Sequence, residues 1–90
     1  NRDDIKDVYQ ALIRQGKLVK VSNDIVFHSS IIEKAFDIIK SLIQEKGQMT
    51  VSDFRQTANT SRKYAVPLLE YSDKIGFTMR EGDFRKLKKV

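Results

Sequence analysis

Residues 50–71 read TVSDFRQTANTSRKYAVPLLEY and decide the fold. Thr50 and Asp53 form a capping box that predicts a brief helix through about Ala58. The Asn59-Thr60 pair predicts a tight turn, and a second helix follows over about 61–75, where Ala65, Leu68, Leu69 and Ile75 share one apolar face. Two helices joined by so short a turn predict a helix-turn-helix unit.

The flanking segments extend this unit on both sides. Downstream, 77–80 and 84–87 predict two strands around Gly82, where a hairpin turn favours glycine. Upstream, a capping box at Ser30 and Glu33 predicts a helix that Gly47 ends, followed by a short strand over 48–50. The predicted fold class is therefore mainly α with small β-hairpins (α+β), a winged helix-turn-helix.

The first 28 residues repeat only the rear part of the same arrangement. Ile5, Val8, Tyr9, Leu12 and Ile13 recur at helical spacing over 3–15, and Gly16 ends that helix. Two β-branched runs, 17–21 and 24–28, then predict a hairpin. We therefore expect residues 1–28 to be the C-terminal part of a preceding winged helix and residues 29–90 to be a complete winged-helix domain.

The composition argues for a binding domain and against an enzyme. The chain has no cysteine, which excludes disulfides and thiolate metal sites. Its single histidine, His28, ends a predicted strand, where a local hydrogen bond explains it better than catalysis. We find no nucleophile–base pair, no metal cage and no need for a cofactor. No apolar run resembles a signal peptide or membrane span, so we expect a cytoplasmic protein without membrane partners.

The charge is concentrated in the last third of the chain. Residues 1–54 carry eight Lys/Arg and eight Asp/Glu, whereas residues 55–90 carry nine Lys/Arg and only four Asp/Glu. The whole net charge of +5 therefore falls on one structural unit. A basic excess confined in this way favours a polyanionic partner, with a solvated surface and basic tail as the plainer interpretation.

The first turn of the third helix contains the strongest candidates for contact with that partner. Arg62 and Lys63 lie beside free backbone amides and the positive end of the helix dipole, which together favour phosphate. Either Thr60 or Ser61 is expected to cap the helix or donate to a phosphate. Tyr64 is expected either to stack on an unpaired base or to pack against the second helix.

The wing supplies a second set of cations. Arg80 and Arg85 flank its turn, and we expect them to straddle a nucleic-acid backbone, unless they serve only solubility. Lys86, with Lys88 and Lys89, adds a long-range attraction that salt weakens. Pro67 lies about two turns into the third helix and is expected to bend it.

The motifs resemble the last winged helix of bacterial SelB, the selenocysteine-specific elongation factor family. The resemblance covers roughly residues 30–87 and is carried by VSDFR at 51–55, TSRKYAVPLLEY at 60–71, DKIGFT at 73–78 and GDFRKL at 82–87. Residues 1–28 resemble the end of the preceding winged helix more weakly. The chain departs from the family pattern at Ser72 and Phe84, where a bulkier and a more basic residue respectively are expected.

The resemblance implies a fragment that anchors a translation factor to RNA. In that family the C-terminal winged helices bind the SECIS hairpin of messenger RNA, so that selenocysteine is incorporated at UGA. The separate N-terminal part binds GTP and selenocysteyl-tRNA and brings the factor to the ribosome. This chain contains no G-x-x-x-x-G-K-[ST] motif, so the implied role excludes GTPase activity.

Two other functions are compatible with a winged helix. A transcription regulator would insert the third helix into the major groove of DNA. Pro67 and the scarcity of Asn, Gln and Arg beyond the first helical turn argue against that use, because Val66, Glu70 and Asp73 read base edges poorly. A protein–protein contact is the other alternative, in which the basic excess would be incidental.

Overall fold

The computed structural model describes Val8 and residues 10–88. A helical segment at 10–14 leads into a chain of three helices and four strands. In chain order these are β1 (Leu18–Lys20), β2 (Val26–His28), α1 (Ser29–Lys46), α2 (Val51–Ala58), α3 (Arg62–Lys74), β3 (Thr78–Glu81) and β4 (Phe84–Leu87). Each strand pair forms its own antiparallel hairpin. The predicted winged helix-turn-helix is confirmed.

The helix-turn-helix forms for the local reasons that its sequence indicates. The Asp53 carboxylate accepts from the Thr50 amide at 3.1 Å, while the Thr50 hydroxyl accepts from the Asp53 amide at 3.0 Å. That reciprocal capping box begins α2. Asn59 ends it in the left-handed region, at φ 53°, which turns the chain into α3. The observed bounds of α3 lie within one residue of those predicted.

The core lies where α1 crosses α2 and α3. The apolar faces of these helices bury Ile32, Ala35, Ile39, Leu42, Ile43, Phe54, Ala65, Leu68 and Leu69, joined by Met49 from the loop. Phe54 and Leu69 are among the largest side chains fully removed from water. Helical spacing placed these residues on inward faces, and burial of those faces is what holds the three helices together.

Two details of the helices differ from prediction. The capping box expected at Ser30 and Glu33 is wrong, because α1 begins at Ser29 and the Ser30 amide donates to Nδ1 of His28 at 3.1 Å. This bond is the local hydrogen bond that the sequence predicted for His28, and it makes His28 the N-cap of α1. Ile75 was expected to point inward but is 51% exposed. It follows α3 as the C-cap residue, so helical periodicity no longer fixes the direction of its side chain.

The first hairpin packs directly on the three-helix unit. Val19, Val21 and Phe27 contact the core, and the Ser29 amide donates to the Lys17 carbonyl at 2.9 Å. In the preceding segment, Leu12 and Ile13 are half-buried, whereas Val8 is exposed despite its place on the predicted apolar face. The expectations for Ile5 and Tyr9 lie outside the described residues.

The wing is the hairpin of β3 and β4. Arg80 pairs with Arg85 and Thr78 with Leu87, and the turn passes through Gly82 at φ 62°. Met49 and Arg85 exchange both backbone hydrogen bonds, at 2.9 and 2.8 Å, so the short strand predicted over 48–50 is a single bridge to β4. Within the described part of the chain, no helix has the length and apolar character needed to cross a membrane.

Candidate nucleic-acid interface

The start of α3 leaves backbone amides available. Ser61 is the N-cap residue, yet its side chain makes no capping hydrogen bond. Its carbonyl accepts from the amides of Tyr64 and Ala65, at 3.2 and 2.9 Å, which leaves the amides of Arg62 and Lys63 without an intrahelical acceptor. The helix therefore presents free donors and the positive end of its dipole at this point.

Thr60 does not cap the helix. Its amide donates to the Arg55 carbonyl at 3.1 Å, which closes the turn between the two helices. The residue is half-buried and lines a groove beside α3. The role of cap residue therefore falls to Ser61, one position later, without a capping bond from either hydroxyl.

The cations of the first turn are accessible. Arg62 and Lys63 are both exposed, and within residues 10–88 neither has a carboxylate within ion-pair distance. The Lys63 ammonium lies 5.6 Å from the centre of the Tyr64 ring, close enough for a cation–π contact. The two cations point to different sides of the helix start, because only Arg62 lines the cleft that faces the wing.

Tyr64 lies at the mouth of an apolar groove. The groove has a volume of about 370 Å³ and is bordered by β2 and all three helices. Its lining consists of Phe27, Ile31, Lys34, Ala35, Ile38, Phe54, Ala58, Asn59, Thr60, Tyr64 and Leu68. The Tyr64 ring meets Phe27 edge-on, with centroids 6.0 Å apart, and remains 40% exposed. The structure thus gives Tyr64 a packing partner on β2 while leaving one side of it open.

A second, polar cleft joins the start of α3 to the wing. Its volume is about 430 Å³, and its lining consists of Thr50, Val51, Ser52, Arg62, Val66, Glu70, Arg80, Asp83 and Arg85. Arg62 and Arg80 therefore face the same space, although they are 18 positions apart in the sequence. Glu70 and Asp83 also line the cleft, but neither lies within ion-pair distance of these arginines.

Arg85 is placed differently from the prediction. It was expected to straddle a nucleic-acid backbone from the flank of the wing, but it is only 3% exposed. Its Nε donates to both carboxylate oxygens of Asp73, at 3.0 and 3.2 Å. The expectation of an exposed clamp is wrong, because strand alternation turns Arg85 inward with Thr78 and Leu87.

The opposite face of the wing is exposed. Met79, Glu81, Phe84 and Lys86 alternate with the inward residues. Lys86 forms an ion pair with Glu81 at 3.2 Å, with both side chains about half exposed, so part of its charge is already balanced. Phe84 is an apolar residue at the tip of this face.

Arg80 is exposed at the turn, where its Nε donates to the Gly82 carbonyl at 2.9 Å.

A buried polar network connects α3 to the wing. The Ser72 hydroxyl is 2.6 Å from the Leu69 carbonyl, to which it donates, and 2.7 Å from the Thr78 hydroxyl. Thr78 donates to Asp73 at 2.6 Å, and Asp73 accepts from Arg85. The sequence did not indicate a role for Asp73. Its contact with Arg85 forms because the pairing of β3 with β4 turns Arg85 inward, toward α3. Ser72 is fully buried within this network.

The acidic residues near the interface include one, Asp53, whose carboxylate belongs to a helix cap. Among residues 10–88 and Val8, no three His, Cys, Asp or Glu side chains are grouped to hold a metal ion. The pKa of Asp53 lies below its ordinary value, chiefly because its carboxylate accepts a hydrogen bond from the Thr50 amide. That carboxylate serves the helix cap. The site is therefore built from cations, free amides and an aromatic ring.

Comparisons with known proteins agree on one family. The family model described as "Elongation factor SelB, winged helix" matches residues 41–87. The selenocysteine-specific elongation factor of Desulfomicrobium baculatum is 33% identical over 86 residues, and that of Escherichia coli is 36% identical over 70. The matches cover 96% and 78% of this chain but span only 14% and 11% of the relatives' length.

Solved structures show the same likeness over almost all of the chain. The mRNA-binding domain of elongation factor SelB from E. coli, in complex with SECIS RNA, matches with a TM-score of 0.88 and 29% identity. That match covers 99% of this chain and 74% of the other. A bacterial selenocysteine-specific elongation factor matches 93% of this chain with a TM-score of 0.84 and 26% identity, over 14% of its own length.

Proposed function

This chain belongs to the family of SelB, the selenocysteine-specific elongation factors, and we propose that it anchors such a factor to a SECIS-type hairpin in messenger RNA. The observation that carries the proposal is the uncapped, cationic start of α3, which shares a cleft with the wing residue Arg80. The structural neighbour with SECIS RNA bound supports the same assignment.

Phosphate contacts supply affinity in the proposed mechanism. The free amides of Arg62 and Lys63, with their side chains, provide charge-assisted donors at the start of α3. Arg80 adds a cation across the cleft, so one RNA backbone segment can contact helix and wing together. Lys86, whose charge is partly balanced by Glu81, contributes a weaker attraction that salt reduces.

Unpaired bases supply selectivity. An A-form major groove is too deep and narrow for a helix, so the end of α3, and not its length, faces the RNA. The open side of Tyr64 stacks on a base that the hairpin leaves unpaired, while its other side rests on Phe27. Thr60 and Ser61 lie beside the same contact, where their hydroxyl groups donate hydrogen bonds to RNA.

The parent factor completes the function. Residues 1–28 act as the end of a preceding winged helix, an assignment supported by the first hairpin and its packing on α1. Residues 29–90 form the RNA-binding winged helix, without catalytic activity. GTP, selenocysteyl-tRNA and the ribosome are bound through other parts of the factor, which places the protein in the cytoplasm.

A competition experiment separates this function from DNA binding. This chain is bound to a labelled SECIS-type RNA stem-loop and challenged with unlabelled stem-loop or with duplex DNA of equal charge. We expect the RNA to compete at far lower concentration, because the end of α3 fits a backbone and an unpaired base. Equal competition by the DNA would point to a transcription regulator, and no binding to either at low salt would favour a protein partner.

A further inference from the structure

We propose that Asp73, in the last turn of α3, is a positioning residue that holds the wing in the orientation in which Arg80 contacts RNA. The inference rests on the RNA-binding function proposed above. Asp73 does not itself contact the RNA. It acts through the buried Arg85, which fixes the strand pair that carries Arg80.

Asp73 joins the end of α3 to both strands of the wing. Its Oδ1 accepts a hydrogen bond from the Thr78 hydroxyl of β3 at 2.6 Å. Both of its carboxylate oxygens accept from Nε of Arg85 on β4, at 3.0 and 3.2 Å. Because Thr78 and Arg85 are only 2% and 3% exposed, water competes little for these bonds. One carboxylate therefore fixes both strands relative to the helix.

Arg85 carries this constraint into the strand pair. Its backbone exchanges two hydrogen bonds with the fully buried Met49, at 2.8 and 2.9 Å. Its side chain is held by Asp73, so the residue is fixed from two sides. Arg80 lies directly opposite Arg85 in the antiparallel pair. The place of Arg80 therefore follows from that of Arg85.

The tip of the wing depends on this anchor. The Arg80 side chain bonds within the turn, where its Nε donates to the Gly82 carbonyl. Across residues 10–88, no side-chain hydrogen bond or ion pair joins residues 81–84 to a helix. Arg80 nevertheless faces Arg62 across the polar cleft. If the anchor at Asp73 is loosened, the tip is free to move, and Arg80 moves with it relative to Arg62.

The charge of Asp73 separates positioning from simple electrostatics. Replacing this aspartate by asparagine makes the chain more positive by one charge, and a more positive chain attracts RNA more strongly. Positioning predicts the opposite result. Asparagine offers Arg85 one oxygen and no charge, so the wing samples other orientations and must be ordered when RNA binds. The affinity for RNA should therefore fall.

A double-mutant cycle tests the proposal. The affinity for the RNA stem-loop is measured for the wild type, Asp73→Asn, Arg80→Ala and the double variant, and is corrected for the folded fraction from circular dichroism. We expect Asp73→Asn alone to weaken binding by about 3–10-fold, but by less than about 2-fold when Arg80→Ala is already present. Asp37→Asn, at an exposed position of α1, is the matched loss of charge and should not weaken binding.

The outcomes separate positioning from a contribution to stability alone. Equal losses for Asp73→Asn with and without Arg80→Ala would show that Asp73 does not act through Arg80, and would overturn the proposal. A folded Asp73→Asn that binds as well as Asp37→Asn, with only a lower melting temperature, would also overturn it. In both cases the wild type still binds the stem-loop, so the proposed function stands. Failure of the wild type to bind would overturn both.

A second measurement covers the case in which Asp73→Asn does not fold. Because the chain has no cysteine, spin labels can be attached at Gln56→Cys on α2 and Glu81→Cys near the tip of the wing, two exposed positions. Pulsed electron resonance gives the distance between the labels with and without the stem-loop. One narrow distribution that RNA leaves unchanged supports a wing held in place beforehand. A broad distribution, or one that shifts when RNA binds, overturns the proposal.

Discussion

Lys63 and Arg62 occupy neighbouring positions with different surroundings. Arg62 faces the polar cleft shared with Arg80, whereas Lys63 lies over the Tyr64 ring. Both are exposed, and among the described residues neither has an ion pair that must break before an anion binds. One helical turn therefore presents a cation toward the wing and another toward the apolar groove.

Removing either cation should weaken RNA binding without unfolding the chain. We expect Arg62→Ala and Lys63→Ala each to cost about 1–2 kcal/mol of binding free energy, the range for an exposed charge-assisted contact. The melting temperature should barely move, because neither side chain is buried. Titration of a labelled stem-loop measures the effect, with Lys40→Ala on α1 as a matched loss of charge. Equal affinity of all three variants would place the contact elsewhere.

Tyr64 combines a packing contact with an open face. We expect Tyr64→Ala to cost about 1–3 kcal/mol in RNA affinity through the lost stacking on a base. Its edge-on contact with Phe27 is worth about 0.5–1.5 kcal/mol, which sets the smaller loss expected in unfolding free energy. Binding titrations and chemical denaturation separate the two effects. A folding loss with unchanged affinity in the folded fraction would make Tyr64 a core residue only.

At the scale of elements, the turn between α1 and α2 shows how a cap becomes dependent on pH. The Thr50 amide donates to the Asp53 carboxylate, which keeps the pKa of that group below its ordinary 3.8. The nearby Lys46 ammonium, 3.5 Å away, lowers the pKa further, against an opposing effect of burial. The charged carboxylate is therefore the form that the folded state prefers.

The stability of α2 should respond to acid accordingly. The pKa of Asp53 is lower in the folded chain than in the unfolded chain. Its charged carboxylate therefore stabilises the fold fully at pH values above the unfolded-state pKa, and this stabilisation is lost as the pH falls through the folded-state pKa. We expect Asp53→Asn to unfold more easily than the wild type at neutral pH, with a difference that shrinks below about pH 3.8. Urea denaturation at several pH values measures this. A difference independent of pH would assign the loss to packing and not to charge.

Removal of the hydroxyl tests the other half of the same cap. Thr50→Val preserves shape but removes the acceptor for the Asp53 amide, and we expect it to cost about 1 kcal/mol of unfolding free energy. Thr57→Val, in the last turn of the same helix, is the matched control for the change of side chain. Similar losses in the two variants would mean that the cap contributes nothing specific.

Local signals in the sequence were sufficient for the helix-turn-helix and insufficient for the wing. The capping box at Thr50, the turn at Asn59 and the apolar spacing of Ala65, Leu68 and Leu69 all act within a few residues. The face on which Arg85 lies depends on the pairing of β3 with β4, which a one-residue shift would reverse. Its partner Asp73 is 12 positions away, so no local pattern identifies the pair.

The starts of helices were less predictable where two elements compete for the same residues. Ser30 and Glu33 satisfy the capping-box pattern, but His28 ends β2 and accepts the Ser30 amide first. Likewise, Thr60 and Ser61 both looked like caps, and neither side chain makes the capping bond. Of the predicted residues at the start of α3, Arg62 lines one cleft with Arg80, whereas Thr60 and Tyr64 line the apolar groove.

At the scale of the whole molecule, the first hairpin and the helix-turn-helix share one core. Val19, Val21 and Phe27 pack on it, and no linker separates them, since His28 both ends β2 and caps α1. Phe27 also supports Tyr64 across the apolar groove. The hairpin is therefore expected to fix the orientation of the RNA-binding helix relative to the chain that precedes it.

Thermal unfolding tests this coupling. We expect the chain to melt in one transition, and Phe27→Ala to lower the free energy of unfolding by about 2–4 kcal/mol, somewhat less than the loss for a fully buried phenylalanine. Calorimetry together with amide signals from β1 and α3 measures it. Separate transitions for the hairpin and the helices would show that the two parts fold independently.

A chemical-shift map of this chain with a SECIS-type stem-loop tests the central claim most directly. The account predicts that the largest changes cluster at 60–64 and at 80–83, since Arg62 and Arg80 line one cleft and Lys63 lies beside it over Tyr64. The changes should fade together as salt is raised. Large shifts along the middle of α3, with none at the wing turn, would contradict it.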